Sequence, residues 1–197
     1  MTAWDLPVTT NLGGTLYHLH TDYRDILEIF SYLDDPDLPE EIRWHIALGL
    51  FYEEPVAQCH MEEAAVYLLE FLGCGQPPQG KSERLLCWQK DAPMIVAEIN
   101  KVAGQEIRSL PYLHWWTFMG FFHTIGEGQL SAVVAIRHKL QKGKPLERWE
   151  KQFYGENRQL VDLPKRYSRE ELQQRDALLQ LLDHSEGRPC GDPEKGA

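Results

Sequence analysis

Apolar positions recur at helical spacing along almost the whole chain, with one exception at its start. There, Leu6-Pro7-Val8-Thr9-Thr10 and Thr15-Leu16-Tyr17-His18-Leu19 flank Asn11-Leu12-Gly13-Gly14. Two β-prone runs around a Gly-rich turn predict a hairpin, and Pro7 confines the first run to an edge or a strand start. A lone hairpin is marginal in water, so it must lie on helices.

From Tyr23 the period changes. Tyr23, Ile26, Leu27, Phe30 and Leu33 follow the i, i+3, i+4, i+7 rule of one buried face, with Thr21 as the expected cap and Asp34-Asp35-Pro36 as the stop. Asp37 and Glu40 have capping-box spacing around Pro39 and open a helix with Ile42, Ile46, Leu50 and Phe51 inward. Met61 to Leu72 reads as the next helix, ended by Gly73-Cys74-Gly75, and Gln76-Pro77-Pro78-Gln79-Gly80 as the main internal loop. Asp91 is expected to cap a helix through Pro93, with Ile95, Val96, Ile99 and Val102 inward and Gly104 at its end.

The stretch from Tyr112 to Phe122 is apolar on nearly every side. Pro111 suits the first turn of a helix and Gly126-Glu127-Gly128 can follow its end, so a central aromatic helix is predicted. Beyond it, Leu130, Val133, Val134, Ala135 and Leu140 form one amphipathic pattern, and Leu146, Trp149 and Phe153 another after Gly143-Lys144-Pro145. Both are expected to cover the aromatic helix. The capping box Ser168-x-x-Glu171 opens a further helix through Leu172, Leu178, Leu179 and Leu182. The expected organisation is a mainly α single domain over residues 1–167 with its N-terminal hairpin, an additional helix over 168–184, and a disordered tail over 185–197.

Composition narrows the function. The 20 basic against 30 acidic residues give a net charge of −10, which opposes binding to nucleic acid. No apolar run approaches the ~20 residues a membrane helix needs, and Met1-Thr2-Ala3-Trp4-Asp5 lacks signal-peptide character, so a cytoplasmic location without membrane contact is expected. Cys59, Cys74, Cys87 and Cys190 form no C-x-x-C pair and read as free thiols. The pairs His114 and His123, and His18 and His20, carry no Cys or carboxylate at recognised ligand spacing, so neither a metal nor a cofactor is expected. Nothing in the pattern orients His60 on Cys59, and the acidic pairs Glu53-Glu54 and Glu62-Glu63 read as solvated helix faces. No catalytic residue is assigned.

The candidates for partner binding are Trp115, Trp116, Phe118 and Phe122, because aromatic side chains dominate interface energetics; a packed core is the competing reading. Neighbouring helix positions diverge by about 100°, so Trp115 and Trp116 cannot share a face and one of them is expected at the surface.

Several pieces converge in order: a hairpin leading into Thr21-Asp22-Tyr23-Arg24, then Phe71-Leu72-Gly73-Cys74-Gly75, Gln89-Lys90-Asp91-Ala92, Leu113-His114-Trp115-Trp116-x-Phe118, Ile136-Arg137 and Leu160-x-x-Leu163-Pro164. The chain so resembles a family of small proteins of tailed phages and prophages of Gram-positive hosts, encoded between tail-tube and tape-measure genes. The resemblance runs from Leu6 to Pro164; Tyr167 to Ala197 is an extension that family members often lack. It implies a non-enzymatic tail assembly chaperone that binds the tape measure protein and keeps it soluble in the host cytoplasm until the tube polymerises. The tail tube protein and further copies of the chain are secondary partner candidates. Alternatives are a structural or adaptor protein retained in the virion tail, and a small cytosolic hydrolase.

Overall fold

Two glycines set the hairpin. In the computed structural model, which describes residues 4–76 and 84–164, Gly13 and Gly14 have φ of 54° and 90°. Positive φ at both central residues is what a two-residue turn matched to strand twist requires. Strands β1 (Thr9–Leu12) and β2 (Thr15–His18) therefore pair antiparallel with Leu12 opposite Thr15. The turn is shorter than the four residues expected, because Leu12 is needed as a buried strand residue beside Thr10. The far edge of β2 is tied down, since His18 O accepts Glu53 N–H at 3.0 Å and His20 N–H reaches Phe51 O at 2.8 Å.

Helix α1 (Tyr23–Leu33) buries Tyr23, Ile26 and Ile29. Its cap is Asp22, whose carboxylate accepts Arg24 N–H at 2.9 Å, one residue later than expected. The Thr21 hydroxyl instead pairs with the Tyr112 hydroxyl at 2.7 Å. Helix α2 (Glu40–Phe51) starts after Pro39, which as cap residue makes no side-chain bond, and Asp37 N–H donates to the Asp35 carboxylate at 2.9 Å. Trp44, Ala47, Leu48 and Phe51 face the core and Leu50 packs against it, as expected for Leu50 and Phe51, while Ile42 points outward, contrary to expectation.

A short 3-10 turn at Gln58–His60 leads into α3 (Met61–Leu72), which buries Ala64, Leu68 and Phe71. Helix α4 (Trp88–Ala103) begins about a turn before Asp91, with Cys87 as cap and Pro93 inside it. Its inward residues are Asp91, Met94, Ile95, Glu98 and Ile99, while Val102 is exposed. Two carboxylates, Asp91 and Glu98, thus share the buried face with the aliphatics, although Asp91 was expected as the cap. Gly104, at φ 69°, ends the helix.

The aromatic helix α5 (Trp115–His123) is shorter than predicted, since Pro111 to Leu113 lie outside any helix and His114 is its cap. Trp115 and Phe118 are fully buried, and Phe118 stacks on Tyr23 at 4.8 Å and on Trp115 at 5.4 Å. Burial of each such ring contributes ~1.5–3 kcal/mol. Helices α6 (Gln129–Gln141), α7 (Arg148–Glu156) and α8 (Arg158–Val161) follow. Contrary to the expectation that they cover α5, α6 packs mainly on α4 and α8, and α7 on α8.

The fold is mainly α, with one two-stranded hairpin among the described residues. All of them fall in the unit Met1–Pro164. The expected loop after Gln76, the helix over 168–184 and the tail over 185–197 lie outside the described residues.

Candidate partner-binding surface

The segments before α1 and α5 are cross-tied. Tyr23 N–H donates to Leu113 O at 3.0 Å and Trp115 N–H to Thr21 O at 2.8 Å, a short antiparallel bridge in which each helix start satisfies the other. Asp22 also accepts Leu113 N–H at 2.9 Å, and Arg24 reaches across to Leu110 O at 2.7 Å. His114 completes the tie. Its Nδ1 accepts Trp116 N–H at 3.0 Å, so the remaining proton sits on Nε2, which faces Pro7 O at 3.0 Å. Burial holds the imidazole below its ordinary pKa and keeps it neutral, although the contact with Pro7 pulls the other way.

The adjacent tryptophans have a shared task. Helix α3 ends with Cys74 at φ 55°, Gly75 N–H on Glu70 O and Cys74 N–H on Phe71 O, the Schellman arrangement with a cysteine in the usual glycine position. Trp115 Nε1 donates to Leu72 O at 3.1 Å and Trp116 Nε1 to Phe71 O at 2.9 Å. The two indoles thereby serve the last turn of a helix that the chain left some forty residues earlier.

A second tie lies in the first turn of α4. The Arg137 guanidinium uses all five of its N–H groups: two on the Asp91 carboxylate at 2.6 and 2.8 Å, and one each on Val161, Leu85 and Leu160 carbonyls. Asp91 additionally accepts Cys87 N–H at 2.9 Å. The pair is sealed from solvent and joins α4, α6, α8 and the segment entering α4.

Of the four partner-binding candidates, Trp115 and Phe118 are sealed in the core, Trp116 is half-buried against Phe71, and Phe122 is half-buried against Trp88. The expected exposed tryptophan of the pair is thus only partly exposed. Freely exposed apolar side chains are found elsewhere: Trp149 (51%), Val66 (52%), Leu16 (57%), Tyr112 (50%) and Ile42 (47%). A cavity of about 260 Å³ opens between the end of α2 and the start of α3, with Leu48, Tyr52, Val56 and Met61 as apolar walls and Glu53 and Glu54 beside them.

Next to that cavity, Glu54 accepts His18 N–H at 2.8 Å and contacts His18 Nδ1 at 2.6 Å. The hydrogen bond that its ring donates to the Glu54 carboxylate raises the His18 pKa, and the one donated by the His18 backbone N–H lowers that of Glu54. Ligand atoms of His18, Glu53 and Glu54 lie within 4.8 Å of one another on the surface. Cys59 is exposed, and its neighbour His60 is engaged by the Tyr17 hydroxyl at 3.2 Å. Cys74 is half-buried and burial raises its thiol pKa.

A family model described as Bacteriophage Gp15 protein matches residues 4–163. The chain belongs to this bacteriophage family. No curated protein and no solved structure matches it. No helix among the described residues is long and apolar enough to cross a membrane.

Within the Gp15 family span, the stretches that carried the sequence resemblance turn out to touch in pairs. Thr21-Asp22-Tyr23-Arg24 binds Leu113-His114-Trp115, the tryptophans cap Phe71-Leu72, and Asp91 and Arg137 meet beside Leu160 and Val161. What sequence reasoning missed is the outward-facing set. Ile42, Val102 and Trp149 were expected inward, and Glu53 and Glu54 were read as a helix face although they lie past the end of α2. The only available signal was Pro55 immediately after them, which marks a helix boundary.

Proposed function

We propose that this Gp15-family protein is a tail assembly chaperone: it binds the tape measure protein reversibly in the host cytoplasm and keeps it soluble until tail tube subunits enclose it. It acts without chemistry on its partner. A tape measure protein is a very long helical chain whose apolar stripes aggregate until covered, so its chaperone needs several modest apolar contacts used repeatedly along one target. The observation that carries the reading is the set of large apolar side chains left exposed on an acidic chain, Leu16, Ile42, Val66 and Trp149 among them. Scattered contacts of this kind suit weak, repeated binding, and a net charge of −10 favours a soluble complex.

The test is co-expression with the tape measure protein encoded by the same phage or prophage, read by soluble fraction and light scattering. Solubilisation supports the proposal. A tape measure protein that stays insoluble with or without this partner overturns it. Mass spectrometry of purified particles separates the alternative, since a structural or adaptor protein remains in the virion and a chaperone leaves.

A further inference from the structure

Between Trp44 and Gln76 the chain contains no lysine or arginine and five glutamates: Glu53, Glu54, Glu62, Glu63 and Glu70. The cavity between α2 and α3 lies within this stretch. Its walls, Leu48, Tyr52, Val56 and Met61, are buried or half-buried and apolar, while Glu53 is exposed at its edge and Glu62 and Glu63 open α3 directly after Met61. A cavity of ~150 Å³ already admits a benzene ring, so about 260 Å³ accommodates one large side chain but is small for a cofactor. His18 lies close to both Glu54 and Glu53 and His45 also lines the cavity, but no lysine or arginine of this stretch offsets the carboxylates at its opening.

We propose that this cavity takes one large apolar side chain from an amphipathic helix whose flanking positions are lysine or arginine. The hole supplies the apolar anchor and the glutamates around it select the charge of the partner. The assignment rests on the chaperone reading for the identity of that helix, the tape measure protein, but the cavity can be tested without it.

Met61 is a built-in probe, with Met94 in the core and Met119 on α5 as internal references. The full chain, labelled with carbon-13 at the methionine methyls, is titrated with a short amphipathic helical peptide bearing leucines on one face and lysines beside them. A second peptide carries glutamate for lysine. The lysine peptide is expected to shift Met61 saturably and leave Met94 in place, and the glutamate peptide to bind about tenfold more weakly. Glu53→Lys, a change at an exposed position, should reverse that preference, and Val56→Trp should block both peptides by filling the hole. Equal binding of the two peptides, no binding, shifts at Met119 instead of Met61, or a Met61 shift produced by protein concentration alone each overturns the proposal. In co-expression, a wild-type chain that solubilises the tape measure protein and a Glu53→Lys variant that does so equally well would remove the cavity's role and leave the chaperone reading standing.

Discussion

Arg137 and Asp91 meet in a two-bonded ion pair whose side chains are 3% and 0% exposed. A buried pair of this kind is expensive to break, because removing one partner strands the other charge out of water. Asp91→Ala or Arg137→Leu is expected to cost about 3–5 kcal/mol in a denaturant titration. Arg137→Lys should cost nearly as much, since three donors cannot replace five in a fixed fork. A double replacement by apolar residues of similar volume should be milder than either single change, and a double variant as unstable as the worse single one would refute the account.

The tryptophans differ in what their N–H groups protect. Phe71 O is shared by Trp116 Nε1 and Cys74 N–H, whereas Leu72 O is served by Trp115 Nε1. Trp116→Phe should therefore cost only ~0.5–1.5 kcal/mol. Trp115→Phe strands a carbonyl and opens space in the core, so ~2 kcal/mol or more is expected. Equal losses in urea unfolding would show that the indole N–H groups contribute little to the end of α3.

Cys74 offers a cleaner test of the same helix end. Its φ of 55° is strained for any residue with a Cβ. Cys74→Ala and Cys74→Gly both remove the thiol, but only the glycine relieves the backbone. The glycine variant should be about 0.5–1 kcal/mol more stable than the alanine variant by thermal unfolding.

His114 should give the fold a pH dependence of definite sign. Its folded pKa lies below the ordinary 6.5, so in the window between the two values the unfolded chain binds more protons. Its contribution is complete above the unfolded value and is lost as pH falls through the folded one. His18 works in the opposite direction, but it is an exposed group paired with Glu54 at the surface. His114→Asn keeps an N-cap acceptor without the titration. The stability gap between wild type and this variant should narrow from about pH 7 to about pH 5, and a gap that stays constant would exclude His114 as the source.

How much of this could be read from the sequence depended on whether the cause was local. Helices α1 and α3 followed from one-sided burial within a dozen residues. Helix α2 followed only in part: the expected Phe51 is buried and Leu50 packs on the core, but Ile42 is exposed and Trp44, Ala47 and Leu48, which obey the period equally well, also face inward. The buried charges Asp91, Glu98, Arg137 and Glu150 were invisible for a different reason: a charged residue reads as solvent-facing unless its partner is known. For Asp91 that partner is 46 positions away. Glu150 is sheltered by Lys139 at 2.7 Å, and the hydrogen bond from that ammonium lowers its pKa. The Leu-His-Trp-Trp run stood out from its composition alone, yet its role as a cap on α3 appears only once the two helices are side by side.

The exposure of Trp149 follows from the burial of Glu150 beside it. Adjacent positions on α7 point about 100° apart, and the buried carboxylate binds Lys139 and Glu147 N–H, turning the indole outward. Among the described residues its Nε1 contacts only the Glu147 carboxylate, at 3.1 Å, so its removal should disturb little. Trp149→Ser, Ile42→Ser and Val66→Ser are each expected to change stability by no more than ~0.5 kcal/mol. If these side chains contact the tape measure protein, the triple variant should unfold at nearly the wild-type temperature and yet leave that partner in the pellet on co-expression. A triple variant that keeps the partner as soluble as wild type does would mean that binding uses other surface, with the half-buried faces of Trp116 and Phe122 the next to test.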